Sequence, residues 1–494
     1  MGFITVDLGT TNVKVAIYDK DLNIVNITSS KIEYRRKDEI VEFDADEYYR
    51  VVAKTIKECC GGFLASSNEY ELILTGQAES LVILGENGKP LRNAISWMDE
   101  RSWEECRELG KYFGKELCYK VTGQVSFLPT WPITKILWIK RNEPWVFNKV
   151  YKYLLIKDYI QYRLTGKIFG EYSIYNFSLY FDINKKDYWK DMLTYCSVRD
   201  SQLPQLIEPC TNIGELDPSI ADDLGIPKHC TVNVGTIDQF ASMIGMGNIK
   251  PGIVSESTGT VLSIATLVNE RPSDLSFGIP CHYGPFKDSF VLLSVCESGG
   301  INLEWAKDNF LPNSGYEQIE EEIKKKIRPG EIIFLPYLTG VNAPNYDENA
   351  KGVFYGLRIK HDKFDLILAV MEGIAFMLAD NISVYKKLGI NVDKIISTGG
   401  GSRSNIWSQI KADISGCDII LPAEKETACF GAAIIGAVDR GIYPSFPKAI
   451  EDKVRYKSIY KSLLFENYSV RIQFYNHLDS IMRNYIWTKD NQYK

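Results

Sequence analysis

The stretch ITVDLGTTNVKVAIYDKDLNIV, residues 4–25, decides how the chain is read. Two strand-like runs are interrupted by an acid, a glycine and two threonines, and the next turn falls at Asp-Lys-Asp. With NIVNITSSKIEY following, the alternation predicts an antiparallel hairpin that continues into a third strand. Residues 46–60 have helical spacing, and YELILTG, residues 70–76, reads as a buried strand ending in a glycine turn. The second half repeats this grammar. GIVSESTGTVLSIATLV at 252–268 is again strand, Thr-Gly-Thr turn and strand, and VDKIISTGGGSRSN at 392–405 is again a strand running into glycines, where Asn405 opens a helix. The apolar positions of 365–389 follow helical spacing and predict a core helix.

A chain of 494 residues is too long for one core, and GMGNIKPG around 245–251 marks the boundary. The expected architecture is α/β, with domains at 1–246 and 247–494 around a cleft, the usual seat of a ligand. Hydrophobic residues at 45% and charged residues at 24% describe a folded chain throughout. A formal charge of −6 gives no basic field for nucleic acid or an anionic membrane. No apolar run approaches a membrane span and no secretory leader is evident, so a cytoplasmic setting and a small-molecule ligand are expected. The 11 cysteines contain no C-x-x-C pair and read as buried free thiols. Histidines 229, 282, 361 and 477 carry no recognisable site and are expected on the surface or in loops.

The turn at Gly9, Thr10 and Thr11 turns backbone N–H groups and hydroxyls outward, which suits a phosphate without any net positive charge. Lys14 can add that charge, and Asp7 can hold Mg²⁺ through oxygen or water. Ser257, Thr258, Gly259 and Thr260 offer the same donors from the opposite domain. Neither the Rossmann nor the Walker glycine pattern is present.

GVFYGLRIKHDKFDLILAVME at 352–372, KILWIKRN at 135–142 and FLPYLTGVNAPNYDENAKGVFYGL at 334–357 resemble signature segments of the FGGY carbohydrate kinases, in the actin-like ATPase superfamily. The resemblance runs nearly end to end. It implies two actin-like, ribonuclease H-like ATPase domains around a central cleft, ATP and Mg²⁺, a small sugar or polyol acceptor, and a homodimer, which is common in the family. By it, Asp7 is the Mg²⁺-associated acid, Thr10, Thr11 and Ser257 to Thr260 are the phosphate turns, and Gly400, Gly401 and Asn405 line the ATP site. By the same resemblance the general base falls on Asp238, a role that makes physical sense, since a sugar hydroxyl is a poor nucleophile until a positioned carboxylate accepts its proton.

TGQAESLVILGENGKPLRNAISWMDERS, residues 75–102, is similar to the family's sugar-binding strand and loop. It implies that Gln77, Ala78, Glu79, Asp99 and Arg101 face the acceptor, together with Asp238 and Gln239. Xylulose and gluconate kinases usually carry Met-His where this chain has Ala78-Glu79, and glycerol kinases carry Arg-Glu and an aromatic where this chain has Thr130. The expectation is an ATP-dependent kinase for a xylulose-like pentulose, with a short polyol such as erythritol or glycerol, or gluconate, as alternative acceptors. Actin and chaperone ATPases share the turns, so the competing class is a nucleotide-dependent binding or switch protein. The aromatic closing segment, residues 462–494, can pack on a partner or on its own domain.

Overall fold

The computed structural model describes residues 1–64, 69–347 and 349–487. The opening stretch forms β1 (Gly2–Leu8), β2 (Asn12–Asp19) and β3 (Ile24–Lys31), an antiparallel meander in which Asp7 pairs with Lys14. Helix α1 (Ala45–Cys60) starts at Asp44, whose side chain accepts from the Glu47 amide, and buries Tyr48, Val52 and Ile56 against this sheet. It returns the chain to β4 (Tyr70–Gly76), parallel to β1 and fully buried. β5 (Asn212–Glu215) and β6 (Cys230–Ile237) complete a six-stranded sheet of order β5-β6-β4-β1-β2-β3. Between β4 and β5 lies an insertion carrying the helix α2 (Pro132–Asn142), which begins on a proline, and its strands Leu81–Leu84, Ala94–Ile95 and Lys152–Leu155 join Arg35–Lys37 and Ile40–Phe43 in a five-stranded sheet.

Helix α3 (Asp238–Met246) follows β6 directly and ends on the left-handed Gly247. The second half then repeats the plan. β7 (Ile253–Thr258), β8 (Leu262–Val268), β9 (Cys281–Tyr283) and β10 (Phe290–Cys296) form another antiparallel array. Helix α4 (Lys363–Lys387) leads to β11 (Lys394–Thr398), α5 (Asn405–Ser415) and β12 (Asp418–Pro422), and β13 (Tyr456–Tyr460) closes a seven-stranded sheet of order β9-β10-β8-β7-β11-β12-β13. The repeat extends to strand pairing: β11 lies parallel to β7 just as β4 lies parallel to β1. Helix α4 is long and apolar enough to cross a membrane, yet 83% of its apolar window is buried in the second core. In the closing segment, Tyr468, Tyr475 and Trp487 are buried in that same core, and residues 488–494 lie outside the described residues.

One element departs from a clean two-part division. Helix α6 (Thr427–Asp439) belongs to the second half but packs its Phe430, Ala433 and Ile434 with Phe3, Tyr18 and Ile73 of the first sheet. It crosses α3 at two glycines. A Cβ on Gly431 would stand 1.8 Å from the Ala241 carbonyl oxygen and one on Gly245 2.1 Å from that of Thr427, so only glycine allows this approach. At the far end of α6, Asn212 Nδ2 donates to Glu71 Oε1 (2.9 Å) and to Asp439 Oδ2 (3.2 Å), bringing two carboxyl groups together. Burial, reinforced by Asp439, raises Glu71 from 4.5 to about 8. The unfolded chain therefore releases this proton earlier than the folded one, and stability falls as pH rises from about 4.5 to about 8. Glu71→Gln removes that dependence. Thermal unfolding should find the variant more stable than the parent above pH 8, with the gap closing toward pH 4.5; a gap that does not change with pH would contradict the assignment.

Candidate active site

Two cavities open in the cleft between the sheets, and they meet at the N-terminus of α3. The first, about 450 Å³, is lined by Asp7, Lys14, Ser257, Gly259, Thr398 and Gly399, among others. The second, about 650 Å³, is lined by Thr10, Gln77, Ala78, Glu79, Trp97 and His282, among others. Asp238 and Gln239 line both. They do so because β6 delivers the chain to the cleft and α3 starts there, with the Asp238 carboxylate accepting from the Gln239 amide at 2.6 Å.

Asp7 sits at the end of β1 with Oδ1 buried and without a protein partner. Burial first, then the neighbouring Asp238, raises it to about 7, against the opposing pull of Lys14. Asp238 is raised too, by burial, against the Gln239 amide and Lys157. A buried carboxylate oxygen with no donor suits a hard cation and its water ligands. Among the described residues no group of three metal-ligating side chains exists, so any such ion would share its shell with solvent and ligand.

Several expected phosphate ligands are placed differently. Thr10 lines the second cavity, and its hydroxyl accepts from Trp97 Nε1 at 2.8 Å. Thr11 is exposed in the turn. Lys14 reaches the first cavity but pairs with Glu426 at 2.5 Å, so its charge is already matched. Thr258 is a correction: its hydroxyl is buried and donates to Glu256 Oε2 (2.7 Å) while accepting from Lys411 (2.7 Å), which leaves nothing for a phosphate. Ser257 and Gly259 do line the cavity, and Thr260 lines the acceptor side. Of the glycine run, Gly399 lines the cavity and Gly400 is exposed beside it. Gly401 is buried against Thr258, where a Cβ would stand 2.8 Å from the threonine Cβ. Asn405 opens α5, exposed, its Oδ1 accepting from the Tyr460 hydroxyl at 2.6 Å.

On the acceptor side, Gln77 is held by Ser80, whose hydroxyl donates to Gln77 Oε1 at 2.8 Å. Glu79 adopts φ +68° while the Ser80 amide donates back to the Ala78 carbonyl at 2.8 Å, a tight γ-turn. A side-chain-bearing residue in this region costs about 1–3 kcal/mol, a strain typical of ligand-facing positions. Burial raises the Glu79 carboxyl to about 8, opposed by Lys135 and by the Thr130 hydroxyl. Burial likewise lowers Lys135 of α2, whose ammonium donates to the Ser96 carbonyl at 2.7 Å.

Asp99 and Arg101 are corrected: neither lines the cavity. Asp99 is fully buried and accepts from the Val41 amide (2.6 Å) and Arg101 Nε (2.8 Å), and Arg101 Nη2 also donates to Glu42 at 2.7 Å. The pair braces the insertion from behind the site. Glu100, between them in sequence, lines the cavity instead. His282 is also corrected. It lies on β9, 2% exposed, at the acceptor cavity, and burial alone lowers it to about 3. Nothing in its local sequence signals this, because β9 belongs to the second sheet and meets the acceptor region only through folding.

Two sheets of repeated plan with paired turns and a cleft between them define an actin-like ATPase fold. Residues 3–245 match the N-terminal domain of the FGGY family of carbohydrate kinases and residues 263–439 its C-terminal domain. A xylulose kinase from Staphylococcus epidermidis is 29% identical over 481 residues, covering 97% of this chain and 96% of that protein. One from Escherichia coli is 30% identical over 426 residues, 84% and 85% of the two chains. A ligand-bound xylulose kinase structure from Lactobacillus acidophilus superposes with a TM-score of 0.92 at 24% identity, covering 98% and 99%, and shows the shared fold. The chain belongs to the FGGY family of carbohydrate kinases, and is a sugar kinase that uses ATP.

Proposed function

We propose that the enzyme transfers the γ-phosphoryl group of ATP to a terminal hydroxyl of an uncharged pentulose, with D-xylulose the leading acceptor. The observation that carries this reading is the position of Asp238 on the wall common to both cavities, where one carboxylate can meet an acceptor hydroxyl and the phosphate end of a nucleotide together. The acceptor lies against Gln77, Ala78, Glu79 and Gln239. Asp238 accepts the hydroxyl proton as the oxygen attacks, and its burial makes it a stronger base than a solvated aspartate. Glu100 and Glu297 at the cavity oppose an anionic acceptor such as gluconate.

The nucleotide phosphates lie over the turns at Gly9–Thr11 and Ser257–Thr260, with the Ser257 hydroxyl adding a side-chain donor. The adenosine follows Gly399 and Gly400 toward Asn405. Asp7 would hold Mg²⁺, which when bound neutralises phosphate charge. The domains 1–246 and 247–494 close on the hinge near 245–251, so that water is excluded and ATP hydrolysis without sugar is slow. A cytoplasmic setting fits 11 unpaired thiols. Val470, Phe474 and Tyr485, exposed near the C-terminus, suit a homodimer, and light scattering reads that directly.

The test is acceptor-stimulated ADP release with Mg-ATP across D-xylulose, L-xylulose, D-ribulose, gluconate, glycerol, erythritol and xylitol. A pentulose should dominate. Selective stimulation by a polyol would favour the second reading, in which Glu79 and Thr130 orient hydroxyls alone. Stimulation by none would leave only the nucleotide site standing.

A further inference from the structure

His282 is a buried titratable group of the acceptor cavity that the proposed reaction leaves without a task, and its surroundings fix both its protonation and its direction. Gln124, itself 2% exposed, has a side-chain nitrogen that donates to the Asn176 carbonyl at 3.0 Å and also faces His282 Nδ1 at 3.3 Å. Because an amide nitrogen can only donate, Nδ1 must accept. Burial keeps the ring neutral, so its single proton sits on Nε2. No described residue hydrogen-bonds Nε2.

The ring cannot turn away to find a partner. It stacks on Phe177 with centroids 4.2 Å apart and planes 13° from parallel. On either side its backbone is tied to the first half of the chain: the Cys281 amide donates to the Gly123 carbonyl at 2.9 Å, and the Tyr283 amide to Asn176 Oδ1 at 2.6 Å. A Cβ on Gly123 would stand 1.9 Å from the Cys281 carbonyl oxygen, so that contact requires glycine. Phe177 also neighbours Trp131, next to Thr130 and so to Glu79, and Phe240, two residues after Asp238, stands 6.5 Å from the imidazole. The imidazole therefore stands between the Glu79 wall and the Asp238 wall.

We propose that His282 is an acceptor-binding and specificity-determining residue, whose Nε2–H donates to an oxygen of the bound sugar. This rests on the reading of the cavity as the acceptor site. A rigid donor that cannot accept selects for a sugar carrying an oxygen at that point, carbonyl or hydroxyl, and rejects the deoxy analogue, which would leave the N–H buried and unpaired.

The test compares the parent, His282→Ala and His282→Gln, the last retaining an N–H at about the reach of Nε2. Sugar affinity is read by calorimetric titration and turnover by ADP release, with D-xylulose and its monodeoxy analogues. His282→Ala should weaken sugar binding and raise the sugar KM by about tenfold or more, leave the ATP KM unchanged, and be largely rescued by His282→Gln. In the parent one deoxy analogue should lose about the same factor, and in His282→Ala that analogue should lose nothing further. A stacking role alone would lower the melting temperature and shift both KM values, with no analogue singled out. If the parent binds and phosphorylates sugar and His282→Ala binds it equally well, this proposal falls while the kinase reading stands. If the parent neither binds nor phosphorylates any sugar of the panel, both fall.

Discussion

Asp238→Asn abolishes sugar phosphorylation, with kcat down by about 10²–10⁴-fold, while ATP binds as tightly as before or slightly more tightly. The substitution keeps size and hydrogen-bonding reach but removes the proton acceptor. The amide of Gln239 still finds an oxygen at position 238, so the start of α3 keeps its geometry. Nucleotide affinity holds because the carboxylate, one of two beside the phosphate cavity, repels the nucleotide more than it attracts it. Steady-state kinetics with calorimetric titration of ATP separates the two effects. A variant with parental kcat would take Asp238 out of the chemistry, and one that loses ATP binding as well would make its role structural.

Lys411→Met costs about 3–5 kcal/mol of folding stability, the largest loss expected from any single substitution near the site. Lys411 of α5 and Glu256 of β7 are 1% and 0% exposed, and their ion pair spans 2.7 Å. The Ser397 and Thr258 hydroxyls donate to the same carboxylate. Removing the ammonium leaves that carboxylate buried without its counter-charge, directly behind the turn at Gly259. Replacing both partners, Lys411→Met with Glu256→Met, should recover most of the loss, because an apolar pair pays no such desolvation. Chemical denaturation of the single and double variants measures this. A single variant within about 1 kcal/mol of the parent would mean that water reaches the pair and screens it.

The sequence was legible wherever the physics is local. The hairpin at 4–25, the strand at 70–76, the repeated turn at 252–268 and the core helix all follow from alternation, helical spacing and glycine, which act over a few residues. The buried thiols follow from composition. The match of signature segments carried the class of enzyme, and it directed attention to Asp238, whose local sequence reads only as a turn.

What the sequence could not order was contact between distant segments. Asp99 and Arg101 lie in the acceptor loop by sequence, but their charges find each other, Glu42 and the Val41 amide, and so turn away from the cavity. Lys14 meets Glu426 and Thr258 meets Lys411 only when the helices of the second half are in place. His282 becomes part of the acceptor cavity because β9 docks on Gly123 and Asn176, more than a hundred residues earlier. Local periodicity and turn chemistry determined the two sheets, and the signature segments the class of reaction. Tertiary packing alone decided which polar groups were spent on one another and which stayed free for a ligand, because a buried polar group must be paired, and its partner is chosen by proximity in space.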